Sequence, residues 1–542
     1  MKTSSIFSSA LLYVLPATAV YTWPSAYDEL EDLLYLQSGY IHHGFSDGVT
    51  PCSFSPAGST GGRQTAAEWI RTAYHDMSTA DVSKGTGGLD ASILFETDRA
   101  ENKGAAFNST FDFTSNYYSI KTSMADLLAL SVVVASKACK GPDIALRGGR
   151  IDATEAGPLG VPQPQEDLAT HTSRFATAGF NTEDMIAMVA CGHTLGGVHG
   201  TDFPEITAND SAANFEHFDT TYTTFDNKVV TEYLDDNSTN LLVIGQNDTL
   251  NSDKRVFGAD GNKTMNLLAD ATTFQSKCAD ILGRMIDTVP SSVILSDIIT
   301  PVEVKPTDVA LSLTTNNTLS FTGRIRIRTT ERSDADTLTV SLAYRDRLNT
   351  SSDAYTITTT KPNYLLGEST GFGEVFTWYE FDTELPTNTS ISSFNVLIHH
   401  SDGSADEVYD NNGPGFPITD DILFQNDMSC QPQVADADGN WSLTVTAAVR
   451  SERVSDTVSF DWVYQRERQG VVIDALEVQR TSMQKVDGNE RGGYVFFRGT
   501  RTLAPTQWST TFDVVLGDGG ATTKKVEYLS TSSLEQKCGD VV

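Results

Sequence analysis

Positive charge is scarce in this chain of 542 residues, which has 38 Lys and Arg residues against 71 Asp and Glu residues. The formal net charge is −33, and such a surface repels nucleic acids and anionic membranes. Downstream of the N-terminus there is also no apolar run of the ~20 residues that a membrane-spanning helix needs. These absences argue against a nucleic-acid-binding protein and against a membrane-spanning protein.

The first 19 residues have the pattern of a secretory signal. Lys2 supplies the positive end, Ile6 to Leu15 is mostly apolar, and Ala17-Thr18-Ala19 has the small residues of a cleavage site. A membrane anchor is the alternative, but the apolar stretch is too short to span a bilayer. We therefore expect an extracellular, secreted protein whose mature chain begins near Val20.

Cysteine is rare as well, and secretion makes each cysteine a disulfide candidate. Six cysteines allow 15 pairings, and four of them precede residue 290. They are Cys52, Cys139, Cys191, Cys278, Cys430 and Cys538.

Nine Asn-x-Ser/Thr sites predict a glycoprotein, because secreted chains carry glycans at such sites on surface loops. The sites begin at Asn108, Asn209, Asn237, Asn247, Asn262, Asn316, Asn349, Asn388 and Asn440.

The two halves of the chain have different patterns. Up to about residue 290, apolar residues recur at three- and four-residue steps, as in 65–77, 121–138 and 182–195, which predicts helices. After Pro290, short alternating runs rich in Thr, Ser and Val predict β-strands. We expect a multidomain protein, with a mainly α domain followed by two all-β, sandwich-like domains. The predicted boundaries are 1–19 for the signal, 20–290, 300–425 and 426–542.

Two β domains are expected because the second half repeats. The segment at 336–344 recurs at 456–464, and the segment at 394–398 recurs at 512–516. Pro386-Thr387 returns as Pro505-Thr506. Three matches in the same order, at offsets of 118 to 120 residues, indicate a duplication. Cys430 and Cys538 bracket the second copy and could staple it.

Two histidines stand out in the helical half. Arg71 and His75 are four residues apart and so share one helix face, while His193 falls on the apolar stripe of another helix. On spacing alone, the first pair could be a surface pair and His193 could be an ordinary core histidine.

Context favours a catalytic interpretation. The segments Arg71-Thr72-Ala73-Tyr74-His75-Asp76 and Ala190-Cys191-Gly192-His193-Thr194-Leu195-Gly196-Gly197 resemble the distal and proximal histidine segments of the plant, fungal and bacterial haem peroxidase superfamily. The resemblance covers about 45–285 and is greatest to the secreted fungal members. It implies haem b as cofactor, hydrogen peroxide as oxidant and His193 as the axial iron ligand. Arg71 and His75 would then cleave peroxide, and Asp253 would bind the far nitrogen of His193.

The family also orients the distal histidine with an Asn that follows a Glu. Here Glu101-Asn102-Lys103-Gly104 leads to Asn108, and the resemblance suggests Asn108 for this role. Asn108 also begins a glycosylation site, so the two roles exclude each other. We favour the buried amide over the glycan.

Secreted members of the family hold two Ca²⁺ ions, and hard cations bind clustered oxygens. The resemblance implies one set of ligands beside each histidine. The distal set would be Asp76, Gly88, Asp90 and Ser92, and the proximal set would be Thr194, Asp219, Thr221, Thr224 and Asp226.

The chain departs from the family at its cysteines. Cys52–Cys139 matches a familiar pair, whereas nothing supports a pair between Cys191 and Cys278. Cys191 could instead be a buried free thiol.

The class of electron donor is predicted from positions at which the residues of this chain differ from those of manganese- and lignin-oxidising members of the family. Manganese-oxidising members use three carboxylates where this chain has Gln64, Glu68 and His199, and lignin-oxidising members carry a Trp where it has Met188. A single carboxylate is a poor Mn²⁺ site. We therefore expect small phenol-like, aromatic reductants.

Two other functions remain open: an inactive cell-wall or carbohydrate-binding glycoprotein, and a haem carrier. The β domains could contact carbohydrate through stacked tryptophans, but we favour core roles, because Trp462 lies inside a strand-like repeat. These tryptophans are Trp378, Trp441, Trp462 and Trp508. We expect a monomer.

Overall fold

The computed structural model describes residues 20–55, 62–211, 215–432, 434–507 and 509–541. The predicted signal, residues 1–19, lies outside the described residues. Within these ranges, no helix has both the length and the apolar composition that crossing a membrane requires.

The first half is mainly helical, as predicted. One helix has the predicted bounds, Thr65–Met77, while two others are shorter than predicted, at Met124–Ala138 and Thr182–Gly192. The last of these begins with a capping box in which Asn181 and Asp184 bond each other's backbone N–H. The described helices are α1 Asp28–Tyr35, α2 Thr65–Met77, α3 Ala106–Thr114, α4 Met124–Ala138, α5 Leu168–Thr177, α6 Thr182–Gly192, α7 Pro204–Thr207, α8 Lys228–Leu234, α9 Leu241–Ile244, α10 Ser252–Phe257, α11 Lys263–Leu268 and α12 Ala271–Ile286.

The second half consists of β-strands, again as predicted, and three short strands lie in the first half. The short strands are β1 Ser38–Gly39, β2 Gly197–His199 and β3 Phe215–His217. The others are β4 Val304–Leu313, β5 Thr318–Arg328, β6 Thr339–Arg345, β7 Ser351–Thr358, β8 Glu368–Gly371, β9 Glu374–Pro386, β10 Ser393–His399, β11 Glu407–Tyr409, β12 Phe416–Pro417, β13 Ile422–Phe424, β14 Trp441–Arg450, β15 Val458–Arg466, β16 Ala475–Ser482, β17 Gln484–Arg491, β18 Tyr494–Leu503, β19 Thr511–Leu516 and β20 Lys524–Ser530.

These strands form two pairs of antiparallel sheets with matching strand orders. The first pair has the orders β8-β9-β5-β4 and β11-β10-β6-β7, and the second has β17-β18-β14-β13 and β20-β19-β15-β16. The repeated sequence segments fall on β6 and β15 and on β10 and β19, which are neighbours in their respective sheets. An apolar core lies between the sheets of each pair. The domain boundaries themselves remain predictions.

The first sandwich is joined to the helical domain by a buried cluster of charges. Nη2 of Arg326 on β5 and Nζ of Lys305 on β4 each donate to the carboxylate of Glu31 on α1, at 2.6 Å. Burial alone would raise the pKa of Glu31, but the two cations lower it to about 2. In addition, β1 pairs with β8 and so extends a sheet of the sandwich.

Removing one charge from this cluster should strongly destabilise the protein. In Arg326→Leu, the carboxylate of Glu31 loses the Nη2 group that donates to both of its oxygens, and breaking a buried ion pair costs about 3–5 kcal/mol of unfolding free energy. Urea unfolding followed by tryptophan fluorescence would measure the change. Lys254→Ala, which removes an exposed pair with Asp248, should leave the unfolding midpoint unchanged. Equal midpoints for wild type and Arg326→Leu would contradict this role.

The second sandwich also packs on the helical domain. Ile473, in the loop between β15 and β16, is buried in the core of the helices. From the same loop, the guanidinium of Arg468 lies over the ring of Phe95 at 5.1 Å. Both sandwiches therefore contact the domain that contains the histidines.

The buried tryptophans are unsuited to binding sugars. Trp378 and Trp462 are almost completely buried, and Trp378 packs with Phe376 and Leu36 between the helical domain and the first sandwich. Trp441 is half-buried and donates from its indole N–H to the carbonyl of Pro505. Trp508 lies outside the described residues.

All six cysteines form disulfides. The pairs are Cys52–Cys139, Cys191–Cys278 and Cys430–Cys538. The suggestion that Cys191 is a free thiol is therefore wrong. Cys191 on α6 and Cys278 on α12 are both completely buried, and the packing of these helices brings their Cα atoms to 5.6 Å.

Candidate active site

One cavity brings the two histidine segments together. Arg71 and His75 on α2 line it, as do His193 at the end of α6 and Asp253 on α10. The opposite side of α2 carries Trp69, which is completely buried in the helical core. The spacing of four residues thus places the polar pair on the cavity side of the helix, as the sequence suggests.

A buried asparagine orients the distal histidine. The Nδ1–H of His75 donates to Oδ1 of Asn102 at 2.8 Å, and Nδ2 of Asn102 donates to the carbonyl of Glu96 at 3.0 Å. The proton on Nδ1 leaves a lone pair on Nε2. Burial, together with the positive charge of Arg71, lowers the pKa of His75 to about 3. The ring is therefore neutral, and able to accept a proton, at any pH well above 3.

The assignment of Asn108 to this role is wrong. Asn108 is exposed on α3, whereas Asn102 is buried at the end of a short 3₁₀ turn from Ala100 to Asn102. Because both asparagines follow Glu101, spacing alone could not separate them. The conflict with glycosylation at Asn108 disappears, since an exposed amide can carry a glycan.

Arg71 is held beside His75 by contacts outside the cavity. Its Nη2 donates to the carbonyl of Lys103 at 2.8 Å, and its guanidinium lies 4.7 Å from the centre of the Phe107 ring. Burial lowers the pKa of Arg71 to about 10, so it remains a cation at neutral pH. A fixed positive charge therefore stands next to a neutral base.

The proximal histidine follows the last residue of α6. Its Nδ1–H donates to Oδ2 of Asp253 at 2.7 Å, and its ring stacks on Phe218 with the centroids 4.2 Å apart. The second ring nitrogen, Nε2, has no hydrogen-bond partner among the described residues. One ring nitrogen of His193 is thus bound to a carboxylate, which increases the basicity of the ring, while the other has no partner at the cavity.

Sequence reasoning missed the residue that fixes Asp253. Nδ2 of the buried Asn240 donates to the same carboxylate oxygen that accepts from His193, also at 2.7 Å. The hydroxyl of Ser252 donates to the other oxygen at 3.3 Å. No signal marks Asn240 in the sequence, because it lies in a polar stretch with several other Asn residues.

Comparison with known proteins agrees with this arrangement. A family model described as "Peroxidase" matches residues 55–273, which contain both histidines. The chain belongs to the haem peroxidase superfamily.

The relatives fall into two groups. A "WSC domain-containing protein" of Arthroderma benhamiae is 40% identical over 95% of this chain and 68% of its own length. L-ascorbate peroxidase 5 of Arabidopsis thaliana is 36% identical over 25% of this chain, and manganese peroxidase 2 of Phlebia radiata is 30% identical over 32%. The chain spans only 50% and 44% of the length of these two relatives.

The proposed distal calcium ligands lie together in the peroxidase domain but do not fit a cation. The carboxylate of Asp76 accepts from the backbone N–H groups of Asp90, Ala91 and Ile93 at 2.8–2.9 Å. Burial and the charge of Asp90 raise the pKa of Asp76. Unlike Asp219 in the proximal set, the buried Asp76 has no carboxylate oxygen without a hydrogen-bond partner among the described residues. Gly88 and Ser92 belong to the loop whose N–H groups it accepts. The expectation of a distal Ca²⁺ is not supported.

The proximal set has a different character. The Oδ2 atom of Asp219 is buried and has no hydrogen-bond partner among the described residues, and burial raises the pKa of Asp219 to about 7. Thr221 donates its hydroxyl to the carboxylate of Asp226, and Thr194 donates to the backbone carbonyl of Asp226 at 2.5 Å. Thr224 closes the turn by donating its N–H to the carbonyl of Thr221. Clustered oxygens with one unpartnered carboxylate atom fit a hard cation.

The positions that correspond to a manganese site are already engaged. The side chain of Arg63 donates to both oxygens of Glu68, at 2.6 and 2.8 Å. The amide of Gln64 bonds backbone groups, including the N–H of Gly196. Within the described ranges, no group of three or more His, Cys, Asp or Glu residues is arranged to hold a metal.

Proposed function

We propose that this protein is a secreted haem peroxidase that reduces hydrogen peroxide and oxidises small phenol-like donors. The observation that carries the proposal is the pairing, across one cavity, of the Arg71 and His75 groups with His193 backed by Asp253. Secretion is supported by the signal-like N-terminus and by three disulfides, which persist in oxidising compartments.

The residues of the cavity fit a haem group. Nε2 of His193 is an imidazole nitrogen, the ligand type that binds haem iron in peroxidases. A methyl group at Gly192 would meet no atom within 4 Å, so there is open space beside this ligand. Bound haem would supply the iron at which peroxide is reduced and donors are oxidised.

The distal residues then have separate tasks. The Nε2 atom of His75 can accept a proton from one peroxide oxygen and return it to the other, while Asn102 keeps the required tautomer. The guanidinium of Arg71 stabilises negative charge on the departing oxygen. Asp253 pulls on the Nδ1 proton of His193 and so makes this ligand more basic.

One spectrum of the purified protein, recorded before and after addition of peroxide, tests the proposal. We expect a haem band that changes on addition of peroxide and returns when a phenol is added. Absence of a haem band would indicate an inactive glycoprotein. A haem band that peroxide does not change would indicate a haem carrier.

The donor is tested by steady-state assays with a simple phenol, Mn²⁺, L-ascorbate and a non-phenolic aromatic. Two of the relatives are named for manganese and for ascorbate, but Glu68 is occupied by Arg63 here. We expect the phenol to have the highest kcat/KM, because it needs only access to the cavity. Efficient Mn²⁺ oxidation, or turnover of the non-phenolic donor without a mediator, would overturn the donor assignment.

Calcium should stabilise the peroxidase domain through the proximal set alone. A ligand that binds only the folded state raises its stability, so chelation should lower the melting temperature of wild type and added Ca²⁺ should restore it. Asp219→Asn should be insensitive to chelation, because it lacks the unpartnered carboxylate oxygen. Asp90→Asn, in the distal loop, should respond to chelation like the wild type. Metal analysis that finds no calcium in untreated protein would reject this site.

A further inference from the structure

A carboxylate that the peroxide chemistry does not use lies in the wall of the cavity. Asp202, between β2 and α7, lines the cavity and is half-buried. Its carboxylate has no hydrogen bond and no ion pair within 4 Å among the described residues. The carboxylate is therefore available to a molecule that enters the cavity.

Asp202 and Arg71 meet at one point of this wall. A Cβ atom added to Gly104 would lie 3.1 Å from Oδ2 of Asp202 and 3.4 Å from Nη1 of Arg71. The φ of Gly104 is +106°, a backbone conformation that residues with a Cβ atom disfavour. Glycine at this position therefore allows the carboxylate to approach the guanidinium, although the two remain unbonded.

Two other cationic side chains on this side of the cavity have acidic partners. Arg63 is bound to Glu68 by two hydrogen bonds, and Lys103 lies 3.9 Å from the carboxylate of Glu205. Burial lowers the pKa of His199 to about 4, so this ring is neutral at pH 7. Asp202 makes no hydrogen bond or ion pair within 4 Å in the part of the chain that the structure describes, although its charge acts on Arg71. Phe203 and Phe215 line the same cavity.

We propose that Asp202 is a specificity-determining residue that selects the charge class of the reductant. It would accept a hydrogen bond from the ammonium or N–H group of a small cationic aromatic donor, and it would repel anionic donors. The net charge of −33 acts in the same direction, because it concentrates cations near the surface. The inference rests on the proposed peroxidase function and narrows its substrate class.

Two phenols that differ only in the charge of the side chain provide the test. Tyramine carries an ammonium group and 3-(4-hydroxyphenyl)propionate carries a carboxylate, while both are oxidised at the same ring. We expect wild type to have the higher kcat/KM for tyramine. In Asp202→Asn, the ratio of the two kcat/KM values should fall by about five- to tenfold at low ionic strength, and salt should shrink the wild-type preference.

Three controls separate specificity from a structural effect. Asp202→Glu should keep most of the preference, and Glu205→Gln, at a neighbouring exposed carboxylate, should not change it. Without peroxide, calorimetric titration should show weaker tyramine binding to Asp202→Asn than to wild type. If Asp202→Asn does not fold, Asp202→Ser replaces it in both measurements.

The outcomes are distinguishable. An unchanged ratio in Asp202→Asn, with both phenols still oxidised, would overturn the inference and leave the proposed function intact. An equal loss of rate for both donors would show that Asp202 only positions Arg71, and would also overturn it. If wild type oxidises neither phenol, the proposed function fails, and the titration alone decides whether Asp202 binds the cation.

Discussion

Replacement of His75 by alanine should slow the reaction with hydrogen peroxide by about 10²- to 10⁴-fold, the usual contribution of a general acid–base group. The imidazole is neutral and has its tautomer set by Asn102, so its loss removes the proton acceptor without removing a charge. Stopped-flow absorbance after mixing with peroxide would measure the rate. A wild-type rate in His75→Ala would exclude His75 from the reaction.

The two asparagines provide a matched control for this result. Asn102→Ala should slow the same reaction because His75 loses its hydrogen-bond acceptor, whereas Asn108→Ala changes an exposed residue and should not. The wild-type rate should also be flat from neutral pH down to about pH 4 and fall below that, as His75 takes up a proton near its lowered pKa of about 3. A fall already at pH 6 would contradict the buried, neutral state of the ring.

Replacement of His193 by alanine should remove most of the bound haem. The side chain is the axial ligand in our proposal, and its Nε2 atom has no hydrogen-bond partner among the described residues. Haem content per chain, measured after extraction, tests this directly. Stoichiometric haem with an unchanged spectrum in His193→Ala would contradict the assignment of His193 as the axial ligand.

Variants of Asp253 and of a histidine far from the cavity extend this experiment. Asp253→Asn should retain folding but cost about 10- to 100-fold in haem affinity or activity, because the far nitrogen of His193 loses a charged acceptor. His400→Ala, in the first sandwich, should keep full haem content. Equal losses in His193→Ala and His400→Ala would point to general unfolding rather than to loss of the ligand.

Local patterns in the sequence predicted much of the fold. Helix periodicity gave the bounds of α2 and the shared face of Arg71 and His75, because side-chain direction along one helix depends only on spacing. The repeat predicted two similar β domains, and the repeated segments lie on equivalent strands. Strand alternation is likewise a local property.

Loop conformation was beyond such reasoning. Asn102 and Asn108 follow the same Glu, and only the 3₁₀ turn ending at Asn102 shows which amide reaches His75. The distal loop around Asp76 is a second example. Its backbone turns decide whether N–H groups or a cation contact the carboxylate. In neither case do residue type and spacing distinguish between the two alternatives.

The sequence by itself determined the fold class, the superfamily and which two histidines to look for at the cavity. These depend on motifs within single helices and on the period of apolar residues. Only the tertiary structure decided which groups from distant parts of the chain meet. It paired Cys191 with Cys278, placed Asn240 on Asp253 and brought Asp202 to Arg71. Such contacts join residues 13 to 131 positions apart, and their geometry follows from how whole helices and loops pack rather than from local spacing.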